Sequence, residues 1–196
     1  RPASALAIFA HPDDAELLSF GLLKRLSAAG VAVSILIVTD GSRGVSAGHQ
    51  PPSDLPVIRM KETRAALAGI TRDVQALALP DGKVIKDGDT VTAIEKVVLD
   101  RRPDLVVTHY LDPNGIDHQD HRAIAAAVRN ICFRKPFVRT LLSCEPLQPY
   151  TDFVPNVFID ISACFAEKCE AIATHQSQNG RVYLSEEFHQ TRCLRW

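Results

Sequence analysis

The stretch Val31–Thr39 reads VAVSILIVT, with Ser34 as the one polar side chain before the closing threonine. β-branched residues dominate it and favour an extended, pleated backbone. Apolar and polar positions do not alternate, so both faces of this strand have to be buried. Strands of that kind belong to parallel sheets, whose faces are covered by helices. The neighbouring sequence has the helices to do it. Ala15 to Ala29 sets Leu17, Leu18, Gly21, Leu22, Ala28 and Ala29 at helix-like spacing, and Gly30 suits the position just past a helix end. Further apolar runs of strand length, Leu6–Ala10, Val74–Leu79 and Leu105–Thr108, alternate with helical patterns at Val57–Ala68, Thr90–Arg101 and Arg122–Ile131. This alternation predicts an α/β fold: a Rossmann-like, doubly wound, mostly parallel sheet with helices on both faces. Two more strands are expected at Phe137–Ser143 and Val157–Asp160, and a last helix at Ile161–Thr174.

Composition sets the outer limits. With 196 residues, 46% of them apolar, the chain is long enough for a proper core and reads as one domain over 1–196. The closing Leu194-Arg195-Trp196 reads as a truncated end. A formal net charge of −1 leaves no basic footprint for nucleic acid or an anionic membrane. Neither a bilayer-spanning run nor a signal peptide is visible, and a cytoplasmic location is expected. The five cysteines are odd in number and match no zinc or redox spacing, so buried reduced thiols are expected.

Chemistry concentrates where two strands end. The run Leu6–Ala10 stops at His11, followed by Pro12, Asp13, Asp14 and Glu16. Acids beside a proline are ordinary helix-entry chemistry, and Asp13 and Glu16 have capping-box spacing. Helix entry does not call for a histidine on the end of a buried strand. The second run, Leu105–Thr108, leads into His109 and a loop carrying Asp112, Asp117, His118, Asp120 and His121. In the doubly wound order, strand one lies beside strand four and the winding reverses between them. The two stretches then converge in the crevice at the strand carboxyl ends, and His/Asp clusters there point to a metal site. A dinucleotide is excluded, because two carboxylates would repel a diphosphate and Pro12 lacks a backbone donor. The segment Ser42 to Pro56, rich in Gly and Pro, is expected as a loop walling one side of the site.

Together, His11-Pro12-Asp13-Asp14-Ala15-Glu16 and His118-x-Asp120-His121 resemble the PIG-L/LmbE-like family of zinc-dependent N-deacetylases. Thr39-Asp40-Gly41, Arg59-x-x-Glu62 and His175-x-Ser177-Gln178 extend the resemblance over most of the chain. The resemblance implies removal of an N-acetyl group from an N-acetylglucosamine-type sugar or glycoconjugate. It implies His11, Asp14 and His121 as ligands of one Zn2+ per chain, a set that also suits Fe2+ or Mn2+. Asp13 is then the general base, His118 faces the reacting centre, and Asp120 orients His118 and keeps it protonated. Arg59 is expected to reach substrate or to form a surface ion pair with Glu62, while Asp40 and Arg43 line the sugar pocket. His109, His49 and His189 are expected as ordinary polar residues. His175 is expected at a helix end or on the site rim. Ile116 departs from members that carry an oxyanion-stabilising tyrosine there. Partners are then a small N-acetylated sugar and a second copy of the chain in a homo-oligomer. Two other classes stay open: a metal-dependent phosphoesterase, and a non-catalytic sugar-binding module on the same fold.

Overall fold

The computed structural model describes residues 1–45, 50–148 and 153–195. One five-stranded sheet runs through it: β1 (Ser4–Phe9), β2 (Ala32–Thr39), β3 (Val74–Leu79), β4 (Leu105–His109) and β5 (Thr140–Cys144). Every neighbouring pair is parallel, and the order is β3-β2-β1-β4-β5. The helices are α1 (Asp14–Ala28), α2 (Leu55–Ala66), α3 (Gly88–Arg101), α4 (Gln119–Phe133), α5 (Phe165–Ala173) and α6 (Glu186–Leu194).

Two apolar layers follow from the alternation of side chains along each strand. Phe20 and Leu23 of α1, Met60 and Ala66 of α2 and Ala171 of α5 pack on Ala7, Phe9, Ile35, Ile37 and Val107. Ile94, Val97 and Val98 of α3, with Ile124, Val128 and Ile131 of α4, pack on Leu6, Ile8, Leu36, Val38 and Val106 from the opposite face. From β1 the chain winds outward through β2 to β3, then returns through α3 to lay β4 on the other side of β1. Reversing direction with the same right-handed crossover puts α3 and α4 on the second face. The reversal leaves a crevice beyond the ends of β1 and β4, as the sequence predicts.

The expected strand at Val157–Asp160 does not form. That segment joins no sheet edge, its apolar side chains Val157, Phe158 and Ile159 are exposed, and it is tied to α1 at its end. Arg25 Nη1 donates to Asp160 O at 2.7 Å, and Ile161 packs so closely over Gly21 that a Cβ there would fall on its side chain. Without a neighbouring ladder, a β-branched segment remains irregular. The other expected elements are present with ends shifted by a few residues. α3 starts earlier because the Asp87 carboxylate accepts from Thr90 N–H at 2.8 Å and caps it. Among the described residues no helix is long and apolar enough to cross a membrane.

Candidate metal centre

Three polar atoms meet in the crevice between β1 and β4. His11 Nδ1 lies 3.1 Å from His121 Nε2 and 3.3 Å from Asp14 Oδ2, and the last two are 3.5 Å apart. Two ligands at about 2.0–2.1 Å from one tetrahedral zinc stand roughly 3.3 Å apart. Two imidazole nitrogens and one carboxylate oxygen at that spacing fit a divalent metal and leave a further position open. The donor set carries its own electrostatic signature. Burial opposes protonation of His121, but Asp14 and Asp117 outweigh it and push its pKa up to about 9. His11 is raised well above the usual range against the same burial penalty, by hydrogen bonds to Asp120, Asp14 and Asp81. Asp14 is buried, yet the charge of His121 and hydrogen bonds to His11 and His121 hold it well below the usual carboxylate range. Its carboxylate therefore stays ionised, and the triangle favours positive charge.

Each imidazole of the triangle is braced from behind. His11 Nε2 faces Asp81 Oδ1 at 3.2 Å and Asp120 Oδ2 at 3.3 Å. His121 Nδ1 lies 3.0 Å from Asp117 Oδ1. Carboxylates on the outer nitrogens fix ring orientation and tautomer in metal sites. His109 walls the site: its ring stacks on His121 at 4.0 Å, and its Nε2 accepts from Ala10 N–H at 2.9 Å. Burial and the neighbouring His121 charge keep it neutral.

Asp13 stands beside the triad with a backbone φ of 148°, in the region that favours glycine. Arg59 Nη2 donates to its Oδ2 at 2.9 Å and to Pro12 O at 2.9 Å, while Nη1 donates to Gly41 O at 2.8 Å. Burial raises the Asp13 carboxyl above the usual range, against the pull of the guanidinium. It is thus a stronger base than a solvated carboxylate.

A sequence profile described as GlcNAc-PI de-N-acetylase (PIG-L) matches residues 6–132, more than half of the chain. The chain belongs to the PIG-L family. Diacetylchitobiose deacetylase of Thermococcus kodakarensis is 30% identical over 187 residues, covering 88% of this chain and 69% of that one. The solved N,N'-diacetylchitobiose deacetylase of Pyrococcus horikoshii superposes with a TM-score of 0.81 at 22% identity, over 97% of this chain and 75% of that one, a likeness of fold. A 4-carboxy-2-hydroxymuconate hydratase from Pseudomonas putida KT2440 superposes with a TM-score of 0.78 at 25% identity, over 98% and 85%.

In this PIG-L chain several side chains do other work than the sequence predicts. The Asp120 carboxylate does not orient His118. It accepts from Gly82 N–H at 2.7 Å and Val84 N–H at 3.0 Å and faces His11. His118 caps α4 instead: its Nδ1 accepts from Asp120 N–H at 3.2 Å, which puts the ring proton on Nε2. Burial and the His11 charge lower its pKa, so it is not held protonated. Arg59 is neither a surface residue nor paired with Glu62. It is 3% exposed and spends its guanidinium on the Asp13 turn. Asp40 organises the loop, accepting from Ser42 N–H at 2.9 Å and Asp81 N–H at 3.2 Å. Arg43 is exposed beside Gly82, and its N–H donates to Asp81 Oδ2 at 2.9 Å. The capping box is absent: Asp13 makes no side-chain cap bond and Glu16 pairs with His175. His175 is therefore interior, 2% exposed, and not at a rim. His109 belongs to the cluster, whereas His189 is a buried neutral residue facing Tyr183 O at 2.9 Å. His49 and part of the Ser42–Pro56 loop lie outside the described residues.

Sequence reading gives no role to Asp81 or Asp117 and takes His109 for an ordinary polar residue. Asp117 was readable four residues before His121 on a helix entry, and Asp81 as the acid just past a strand end. Ile116 is exposed, and the phenol that comes near Asp13 is Tyr183, pushed up to about 12 by burial and by that carboxylate. The thiols of Cys132 and Cys144 are pushed up by burial to about 11 and about 12, which leaves them poor nucleophiles. An open groove of about 690 Å³ beside α6 is lined by Glu145, Leu147, Phe188 and Arg192 and holds no member of the cluster.

Proposed function

We propose that the chain is a zinc-dependent N-deacetylase that hydrolyses the acetamide of an N-acetylglucosamine-type sugar or glycoconjugate. The observation that carries this reading is the His11, Asp14 and His121 triangle with the buried, strained Asp13 beside it. Two of the similar proteins bear deacetylase names, and they act on an N-acetylated disaccharide. Bound zinc would polarise the acetamide carbonyl and bring the pKa of a bound water towards about 7.

The protein side of the reaction follows from the proton inventory. Asp13 takes a proton from the attacking water, and its raised basicity helps it do so. Arg59 keeps its Oδ2 in place, so the carboxylate does not turn towards the cation site. His118 offers a neutral Nε2–H donor to the oxygen that becomes negative, because the α4 cap has committed Nδ1 as an acceptor. The C–N bond then breaks, the amine leaves with the proton relayed through Asp13, and acetate remains.

A hydratase shares the fold, and it too adds water to its substrate. Metal content and amine release from N-acetylglucosamine and its glycosides separate the readings. One zinc per chain with metal-dependent amine release supports the deacetylase. Asp13→Asn is expected to keep the zinc and lose about 10²–10⁴-fold in turnover, the range for a general base. Loss of ultraviolet absorbance from a conjugated unsaturated tricarboxylate, with no amine released, would overturn it in favour of hydration. Two metals per chain with phosphate-ester cleavage would favour the phosphoesterase. Zinc and sugar binding without turnover would favour the binding module.

A further inference from the structure

Behind Asp13, on the side away from the metal ligands, lies a second polar assembly built from the far end of the chain. His175 Nε2 meets Glu16 Oε1 at 3.0 Å, across 159 positions of sequence, and both side chains are fully buried. Two residues on, Ser177 grips α2: its N–H donates to Glu62 Oε1 at 2.8 Å and its hydroxyl to Oε2 at 2.6 Å. Gln178 Nε2 donates to Gly44 O at 2.7 Å, on the loop between β2 and α2. One short turn thus holds α1, α2 and that loop together.

These are the three elements that carry the base. Glu16 is one turn along α1 from Asp13. Glu62 is one turn along α2 from Arg59, whose Nη2 donates to Asp13 Oδ2. Gly44 packs against the Arg59 guanidinium, where a Cβ would stand 2.8 Å from Cζ. The Asp13 backbone at φ 148° needs such support, since strained conformations persist only where the surroundings over-determine them. The assembly is poorly explained as a stability device. Glu16 Oε2, His175 Nδ1, Gln178 Oε1, Thr63 Oγ1 and Arg59 Nε are buried with no hydrogen-bond partner among the described residues, and orphaned buried polar atoms cost stability.

We propose that the turn His175–Gln178 is a positioning device for the Asp13 carboxylate, clamping α1, α2 and the β2–α2 loop around it. The proposal rests on the reading of Asp13 as the general base. His175 and Ser177 touch no reacting atom; they act through Glu16, Glu62 and Arg59.

The test compares the metal-loaded chain with its His175→Ala, Ser177→Ala and Glu16→Gln variants. His175→Ala is expected to keep its metal content while kcat for amine release from N-acetylglucosamine falls roughly 10–100-fold, the usual scale for outer-shell partners. KM is expected to stay within about twofold, because binding is untouched. Glu16→Gln preserves an acceptor for Nε2 and should retain most of kcat, which a loss of packing would not explain. Should His175→Ala fail to fold, Ser177→Ala carries the same signature through the Glu62 tie. Unchanged kcat in the folded variants, or metal lost in step with activity, overturns the proposal. If the unmodified chain itself releases no amine, the deacetylase reading fails separately, and a crystal structure of the variant decides the clamp. Asp13 leaving its positive-φ conformation supports it, and Asp13 unmoved refutes it.

Discussion

At the residue scale, neighbours decide what each side chain of the centre can do. Four carboxylates surround the imidazoles of His11 and His121, and their roles separate by what each oxygen faces. Asp14 faces the ligand nitrogens, Asp120 and Asp81 face the outer nitrogen of His11, and Asp117 faces the outer nitrogen of His121. Asp117 is the cleanest place to test this bracing, since it touches one ligand only from behind. Asp117→Asn is expected to weaken zinc affinity roughly 10–100-fold without unfolding the chain. Competition against a chromophoric chelator measures it, and an unchanged affinity would show that the Asp117 contact does no orienting. Asp13 and Asp14 are adjacent in sequence yet face different partners, because the backbone turns sharply at Asp13.

At the element scale, the sheet positions the strand ends and the loops aim the side chains. α2 carries Arg59 in from the side, and the loop before it has to pass over the guanidinium. Gly44 is where they meet, and its backbone is not in the left-handed region, so its constraint is steric and not conformational. Gly44→Ala is therefore expected to destabilise by about 1–3 kcal/mol through overpacking, and to lower turnover by moving Arg59 off Asp13. Gly88→Ala, with nothing within 4 Å of its Cβ at the start of α3, serves as the control and should be neutral or slightly stabilising. Denaturant midpoints distinguish them; a Gly44→Ala midpoint equal to that of the unmodified chain would refute the contact. The segment Val157–Asp160 shows the opposite lesson. Its apolar, β-branched composition reads as a strand, yet it joins no sheet, and just beyond it Ile161 settles over Gly21 of α1.

At the scale of the whole molecule, metal binding and folding are linked through protons. In the folded metal-free chain Asp14 and Asp117 outweigh burial and push His121 up to about 9 from an ordinary 6.5. A group whose folded pKa is raised contributes stability that is full below about 6.5 and is lost as pH rises through about 9. The metal-free chain should therefore lose stability across that window. A divalent metal held by His121 would displace that proton, so the loaded chain should not. The gap between their melting temperatures is expected to widen from pH 6.5 to 9. Thermal scans at several pH values measure it, and a gap that narrows as pH rises would contradict the proton–metal exchange.

Much of this protein is legible in one dimension. An unalternating β-branched run such as Val31–Thr39 has to be buried on both faces, and its alternation with helical periods leaves few ways to wind the chain. The reversal between β1 and β4 then brings His11 and Asp14 to His121, because that convergence depends on topology and not on side-chain detail. What only the tertiary structure decided is which partner each polar group takes. Asp120 turned to His11 and not to its sequence neighbour His118, because Gly82 and Val84 offered two backbone N–H groups on that side. Arg59 went inward to Asp13 and His175 to Glu16, contacts that span 46 and 159 positions. Local spacing records periodicity and the ends of elements. It holds no record of which buried donors lie within 3 Å once the layers have packed, and desolvation makes that proximity decide charge, tautomer and role.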